Sequence, residues 1–270
     1  MSSSTFIGIV IGILAIFGVF IWDGGSTQSL FLIPAMTIVI GGTIAAGLSG
    51  SSFAQIKRIP KLIKITFTNH HTDVEEIISQ LIVLSAISRR DGVLSLESKL
   101  DSLNNPFLRK IIQVIIDGAD PQTLISITDS EIMHLSERHN ANIGFFTKLG
   151  GYSPTMGIIG TVMGLISTLA SAGQDPQVLI RHIASAFIAT LWGIFMANIV
   201  WLPIADRLRN LHNLELQENQ VMIDGAFAMA SGETPSMILS RLVGYFPLSQ
   251  QEEIYKRQSE ILRNSVIGRD

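Results

Sequence analysis

The segment Tyr152 to Thr168, YSPTMGIIGTVMGLIST, is uncharged yet carries a proline, three glycines and several hydroxyls. Pro154, Gly157, Thr161, Gly164 and Thr168 recur at intervals of three, four, three and four, which places them on one helix face. Glycines on such a face let a second backbone approach closely. The threonines offer neutral oxygens. Pro154 cannot donate to the carbonyl of Gly150, and a freed carbonyl at membrane depth requires protein or a water-filled cavity beside it. A second stripe follows at Ala186, Thr190, Gly193 and Ala197, with Asn198 beside it. Neutral oxygens with room for water suit the transient passage of a hydrated cation. The same spacing also serves plain small-residue packing between membrane helices, and periodicity leaves both readings open.

Other chemistries find no residues. The chain has no cysteine, so disulfides, thiolate metal sites and cysteine nucleophiles are excluded. His70 and His71 are adjacent and His134 and His139 are five apart, neither of which sets two imidazoles on one helix face. No nucleophile elbow or Walker-type loop occurs, and GxxGTxxG lacks the lysine a phosphate loop needs. An enzyme is not indicated, nor is any cofactor. Net charge of −3 gives no reason to expect a nucleic-acid partner.

These stripes need elements to carry them. Charged residues make up 15% of the chain and mean hydropathy is +0.41, where a soluble domain has roughly 25% charge. Four segments approach the roughly 20 apolar residues that cross a bilayer: Phe6 to Trp22, Phe31 to Leu48, Leu149 to Ala172 and Ile183 to Leu202. DGGSTQS and GQDPQ join them into two helical hairpins. The start MSSST has no positive side chain, so a retained first span is expected rather than a cleaved leader. Lys57, Arg58, Lys61, Lys64, Lys148, Arg207 and Arg209 flank the span ends away from the short loops. Both termini and the middle region are therefore expected in the cytoplasm, with the spans in the inner membrane.

No Asp, Glu, Lys, Arg or His falls within the four spans. An ion carrier ordinarily holds an ionisable group at that depth, so the carboxylate must come from a partner. Residues 70 to 148 read as helical, with a stop at Gly118 and a helix from DPQTLIS running on into the third span. A further long helix follows the fourth span, SGETP breaks it, and a polar tail ends the chain. FAQIKRIPKLIKITF, Phe53 to Phe67, fits either a helix on the anionic leaflet or one docked on its neighbours with a kink at Pro60.

SRRDGVLSLE (Ser88 to Glu97), SPTMGIIGTVMGL (Ser153 to Leu165) and ATLWGIF with WLPIADRL (Ala189 to Leu208) resemble the A subunit of the bacterial flagellar stator, the MotA/PomA family. The glycine motif alone also resembles ExbB/TolQ proteins, which usually have three spans. The extra N-terminal hairpin favours the stator. The resemblance implies a homopentameric ring around a single-span B subunit (MotB/PomB-like) that bears a membrane aspartate, pushing on a FliG-like rotor protein. It implies that Pro154, Gly157, Thr161, Gly164 and Thr190 line the ion path and that Pro203 couples ion flow to torque. Arg89, Arg90 and Glu97 match charged rotor-interface positions. Thr161 resembles sodium-type members, and hard oxygen ligands suit dehydrated sodium better than a proton, so Na+ is favoured over H+. Ala189 stands where some sodium-type members have threonine.

The expected fold is all-α and polytopic. Residues 1–50 form the first transmembrane hairpin and 51–148 a cytoplasmic helical domain. Residues 149–203 form the second hairpin, lining the ion path, and 204–270 the cytoplasmic C-terminal helices and tail. The expected function is a stator subunit that conducts cations with its B-type partner and converts ion flow into torque. An ExbB/TolQ-like energiser of an envelope protein is the alternative, and a non-conducting scaffold of packed helices a third.

Overall fold

The computed structural model describes residues 3–68, 73–171, 173 and 175–267, so the His70–His71 pair lies outside the described residues. Among those residues the secondary structure is helical throughout. The contacts divide the chain into two compact units, Met1–His70 with Arg138–Leu211 and His71–Glu137 with His212–Asp270.

In the first unit, α1 runs from Ser3–Ile13 through a π-helical turn, Leu14–Gly18, to Val19–Trp22. Helix α2, Ile33–Ser49, contains a second π turn at Thr37–Gly41. Helix α3 is Ile59–Thr66, preceded by a short helix Phe53–Ile56 that Ser52 caps. Pro60 sits in the first turn of α3, where its missing N–H costs nothing, so it starts this helix rather than kinking one. Ile59, Leu62 and Ile63 pack against Ile143, Phe146, Leu149 and Leu208, while Lys57, Arg58, Lys61 and Lys64 stay exposed. The segment thus packs on its neighbours through its apolar face and leaves its cations exposed.

Parts of two long helices, within residues 138–211, supply the rest of this unit. Helix α6, Pro121–Ala170, and helix α7, Pro176–Ala230, are both long and apolar enough to cross a membrane. Their most apolar windows are only 17% and 33% buried, whereas the core helix of a soluble protein would be mostly covered. Helices α1 and α2 are apolar but shorter. Asp120 and Asp175 cap α6 and α7, accepting from Gln122 and Thr123 and from Gln177. The Thr123 backbone and hydroxyl donors hold the Asp120 carboxyl below its ordinary range. The indole of Trp192 donates to the Leu30 carbonyl at 2.7 Å and stacks among Phe17, Phe31 and Phe195, which fixes both hairpins around one aromatic knot.

In the second unit, α4 (Val74–Asp91) begins at an Asp73 cap, with Glu75 and Glu76 in its first turn and Arg89 and Arg90 in its last. That order of charge complements the helix dipole. Gly92, at φ +85, ends α4 and opens a 3-10 segment, Val93–Ser102. Helix α5, Pro106–Ile116, is capped by Asn105 and stops before Gly118, at φ +84. Helix α8, Pro235–Leu242, follows the break at Gly232. The core holds Ile78, Leu81, Leu96, Ile112, Met222 and Leu239, all at or below 1% exposure.

The C-terminal segment is a helix, α9 (Leu248–Ile267), not the polar tail its composition suggests. Ile254 and Gln258, one turn apart, are buried. Arg257 pairs with Glu75 at 2.9 Å, and the Ser79 hydroxyl donates to Gln258 at 2.7 Å. The post-span helix is likewise no separate element. It continues α7 through a π turn at Met196–Trp201.

Candidate ion-path seam and charged face

Within the first unit, the small-residue stripes of α6 and α7 meet backbone to backbone. A methyl on Gly157 would lie 3.0 Å from the Ala189 carbonyl oxygen and 3.3 Å from the Cα atoms of Thr190 and Gly193. One on Gly193 would lie 2.8 Å from the Ser153 carbonyl oxygen, and one on Gly164 2.8 Å from the Ala186 Cβ. Where the glycines bring the helices together, the threonines pair. The Thr161 hydroxyl lies 3.0 Å from the carbonyls of both Gly157 and Ala186 and in short contact with the Thr190 hydroxyl. Both threonines are half-buried, so their oxygens sit at the edge of the packed seam. Thr168 donates to its own Gly164 carbonyl.

Pro154 lies inside α6, half-buried, a turn before Gly157. Most of the other exposed positions on this part of α6 are apolar, among them Ile158, Val162, Ile166 and Leu169, with Thr155 and Ser167 bonded back to carbonyls of their own helix. Two members of the seam lie outside the predicted stripe. Gly160 would drive a methyl to 2.6 Å from the Ala189 Cβ. Ser153 is fully buried, and its hydroxyl has no partner among the described residues. Its spacing of four from Gly157 was the available signal. Pro203 stands apart from the threonine pair, just past the π turn of α7. That turn loosens the ladder where the missing N–H would break it. Asn198 assists by donating to the Ile194 carbonyl at 2.9 Å.

The second unit carries the charged candidates. Arg89 and Arg90, at the end of α4, line a cleft of about 510 Å³ with Asp91, Ser95, Lys99 and Pro235. Arg89 donates to the Gly232 carbonyl at 3.2 Å, which orients it across the cleft. Arg90 forms a two-pronged bond to Asp91 at 2.9 and 2.8 Å, and that carboxylate holds the guanidinium above its ordinary range. Glu97 is exposed on the 3-10 segment but does not line the cleft. Lys99 does, and sequence reasoning did not single it out.

Residues 6–92 match the motility protein A N-terminal family, and residues 99–220 match the MotA/TolQ/ExbB proton channel family. Motility protein A of Bacillus subtilis is 31% identical over 92% of each chain. This chain belongs to the motility protein A family. Chemotaxis protein PomA of Vibrio alginolyticus is 30% identical, covering 82% of this chain and 87% of its own. The solved flagellar MotAB stator complex from Bacillus subtilis superposes with a TM-score of 0.85 at 30% identity, over 92% of this chain and 97% of that one. A member of this family is a flagellar stator subunit and not an enzyme. The N-terminal match covers the first hairpin, the part that separated the stator reading from the ExbB/TolQ one.

Proposed function

We propose that this stator subunit spans the inner membrane four times with both termini in the cytoplasm, and conducts sodium together with a single-span partner of MotB/PomB type. The observation that carries the ion reading is the paired Thr161 and Thr190 hydroxyls at the edge of an uncharged seam. Hydroxyl and carbonyl oxygens are hard ligands suited to sodium. The partner's aspartate supplies the charge that the spans lack. No prosthetic group is needed, because the cation is the cargo. Several copies, five on the family pattern, surround the partner. Pro203 passes movement of the seam to the cytoplasmic helices. Arg89, Arg90 and Glu97 present charges to a FliG-like rotor, giving registry and steering more than deep binding energy.

The test is swimming speed against sodium at fixed pH and fixed ionic strength, in cells whose only stator contains this chain. Speed should rise with sodium and saturate. Speed independent of sodium but dependent on the proton gradient would leave the stator reading standing and replace sodium by the proton.

A further inference from the structure

A second cleft, of about 360 Å³, lies in the first unit beside the start of α1, bordered by Gly8, Ile9, Asn198, Asp206, Arg207 and Asn210. It sits where the apolar part of α7 gives way to charge, just past Pro203. Arg207 is half-buried here and under-used. Among the described residues its guanidinium makes one long bond, 3.4 Å to the Thr68 carbonyl, and its Nε is buried with no partner. A cation desolvated this way is costly unless an acceptor completes it. Its neighbour Asp206 is exposed and pairs with Arg209 at 2.7 Å on the surface. The cleft thus sets a guanidinium and a carboxylate side by side, with the amides of Asn198 and Asn210 as further hydrogen-bonding groups.

We infer that this cleft binds the headgroup of a phosphoethanolamine lipid. The phosphate takes the Arg207 guanidinium in a charge-assisted bond, and the ammonium takes the Asp206 carboxylate. A purely anionic headgroup would satisfy Arg207 but face repulsion from Asp206, so the zwitterion fits better. The rim of the cleft continues into lipid-facing surface. Ile7, Ile11 and Leu14 recur on one face of α1 and are more than half exposed, a track for an acyl chain. A methyl on Gly8 would touch nothing within 4 Å, which leaves the entrance open. The lipid would bridge the first span to the fourth next to Pro203. The inference rests on the membrane placement proposed above.

The experiment uses the purified stator complex and native mass spectrometry with dioleoyl phosphatidylethanolamine, dioleoyl phosphatidylglycerol and inorganic phosphate as probes. The unsubstituted complex should retain the ethanolamine lipid preferentially, and millimolar phosphate should not displace it. Arg207→Gln should weaken retention about tenfold, and Asp206→Asn should bring the two lipids level. Equal retention of both lipids by the unsubstituted complex, or unchanged retention by assembled Arg207→Gln, overturns the inference. Displacement by phosphate overturns it in favour of a free-anion site. If Arg207→Gln fails to assemble, a headgroup-reactive ethanolamine lipid must label residues 198–210 of the unsubstituted complex, and labelling confined elsewhere refutes the site. An acyl-chain probe that fails to label α1 would instead refute the membrane placement.

Discussion

At the scale of single residues, the seam is held by atoms that cannot give way. A methyl on Gly193 would meet the Ser153 carbonyl oxygen at 2.8 Å and the Gly157 Cα at 3.0 Å, both backbone. Gly193→Ala should therefore separate α6 from α7 and destabilise the complex by about 1–3 kcal/mol. Gly151→Ala, with no atom within 4 Å of the added methyl, should not destabilise and should gain up to about 1 kcal/mol of helix propensity. Thermal unfolding of the two variants side by side checks this, and matching midpoints would sink it. In the second unit, the half-buried Tyr245 phenol donates to Asp224. Burial first, then that bond and the charge of Asp224, raise its pKa well above the ordinary 10.0. A pKa raised on folding favours the protonated phenol in the native state. Its contribution is complete below about pH 10 and is lost as pH rises toward the folded value. The unsubstituted protein should lose thermal stability more steeply than Tyr245→Phe above pH 10, and parallel slopes would refute the assignment. The stripe itself was legible, because periodicity needs no partner. Gly160 and the Thr161–Thr190 contact were not, since they depend on the antiparallel register of α6 against α7.

Individual elements show where local pattern sufficed and where it did not. The stop at Gly118, the helix opening at DPQTLIS and the break at SGETP could be read directly, because each signal is local. Helix α9 could not. Its average is polar, and among its described side chains only Ile254 and Gln258 are buried, with Leu262 partly buried against the same core. The π turns at Leu14–Gly18, Thr37–Gly41 and Met196–Trp201 leave no compositional trace apart from Pro203 after the last of them. Pro154 offers a test in which stability and function should move oppositely. A proline inside a helix costs about 3 kcal/mol, so Pro154→Ala should tighten α6 by restoring a donor to the Gly150 carbonyl. If the freed carbonyl and the local opening serve ion passage, the same change should cut motility and cation flux while the complex assembles normally. Intact motility with intact flux would reduce the seam to packing.

The whole molecule is incomplete as a single chain, and two independent features say so. Helices α1, α6 and α7 leave Ile11, Leu14, Val162, Ile166, Leu169, Phe187 and Ile194 exposed, far beyond what a monomeric soluble protein tolerates. The predicted spans also contain no ionisable side chain, so a seam that passes cations would have ligands but no charge to bind with. Lipid can cover the first deficiency. Only another polypeptide can remove the second, because a carboxylate at membrane depth must be carried by a helix. Expressed alone, the chain should give no cation flux in membrane vesicles. Expressed with a single-span protein bearing a membrane aspartate, it should purify as a multi-copy complex and conduct, and Asp→Asn in that partner should abolish conduction without dissolving the complex. Flux from the chain alone would show that its hydroxyls and carbonyls suffice, and the division of labour argued here would be wrong.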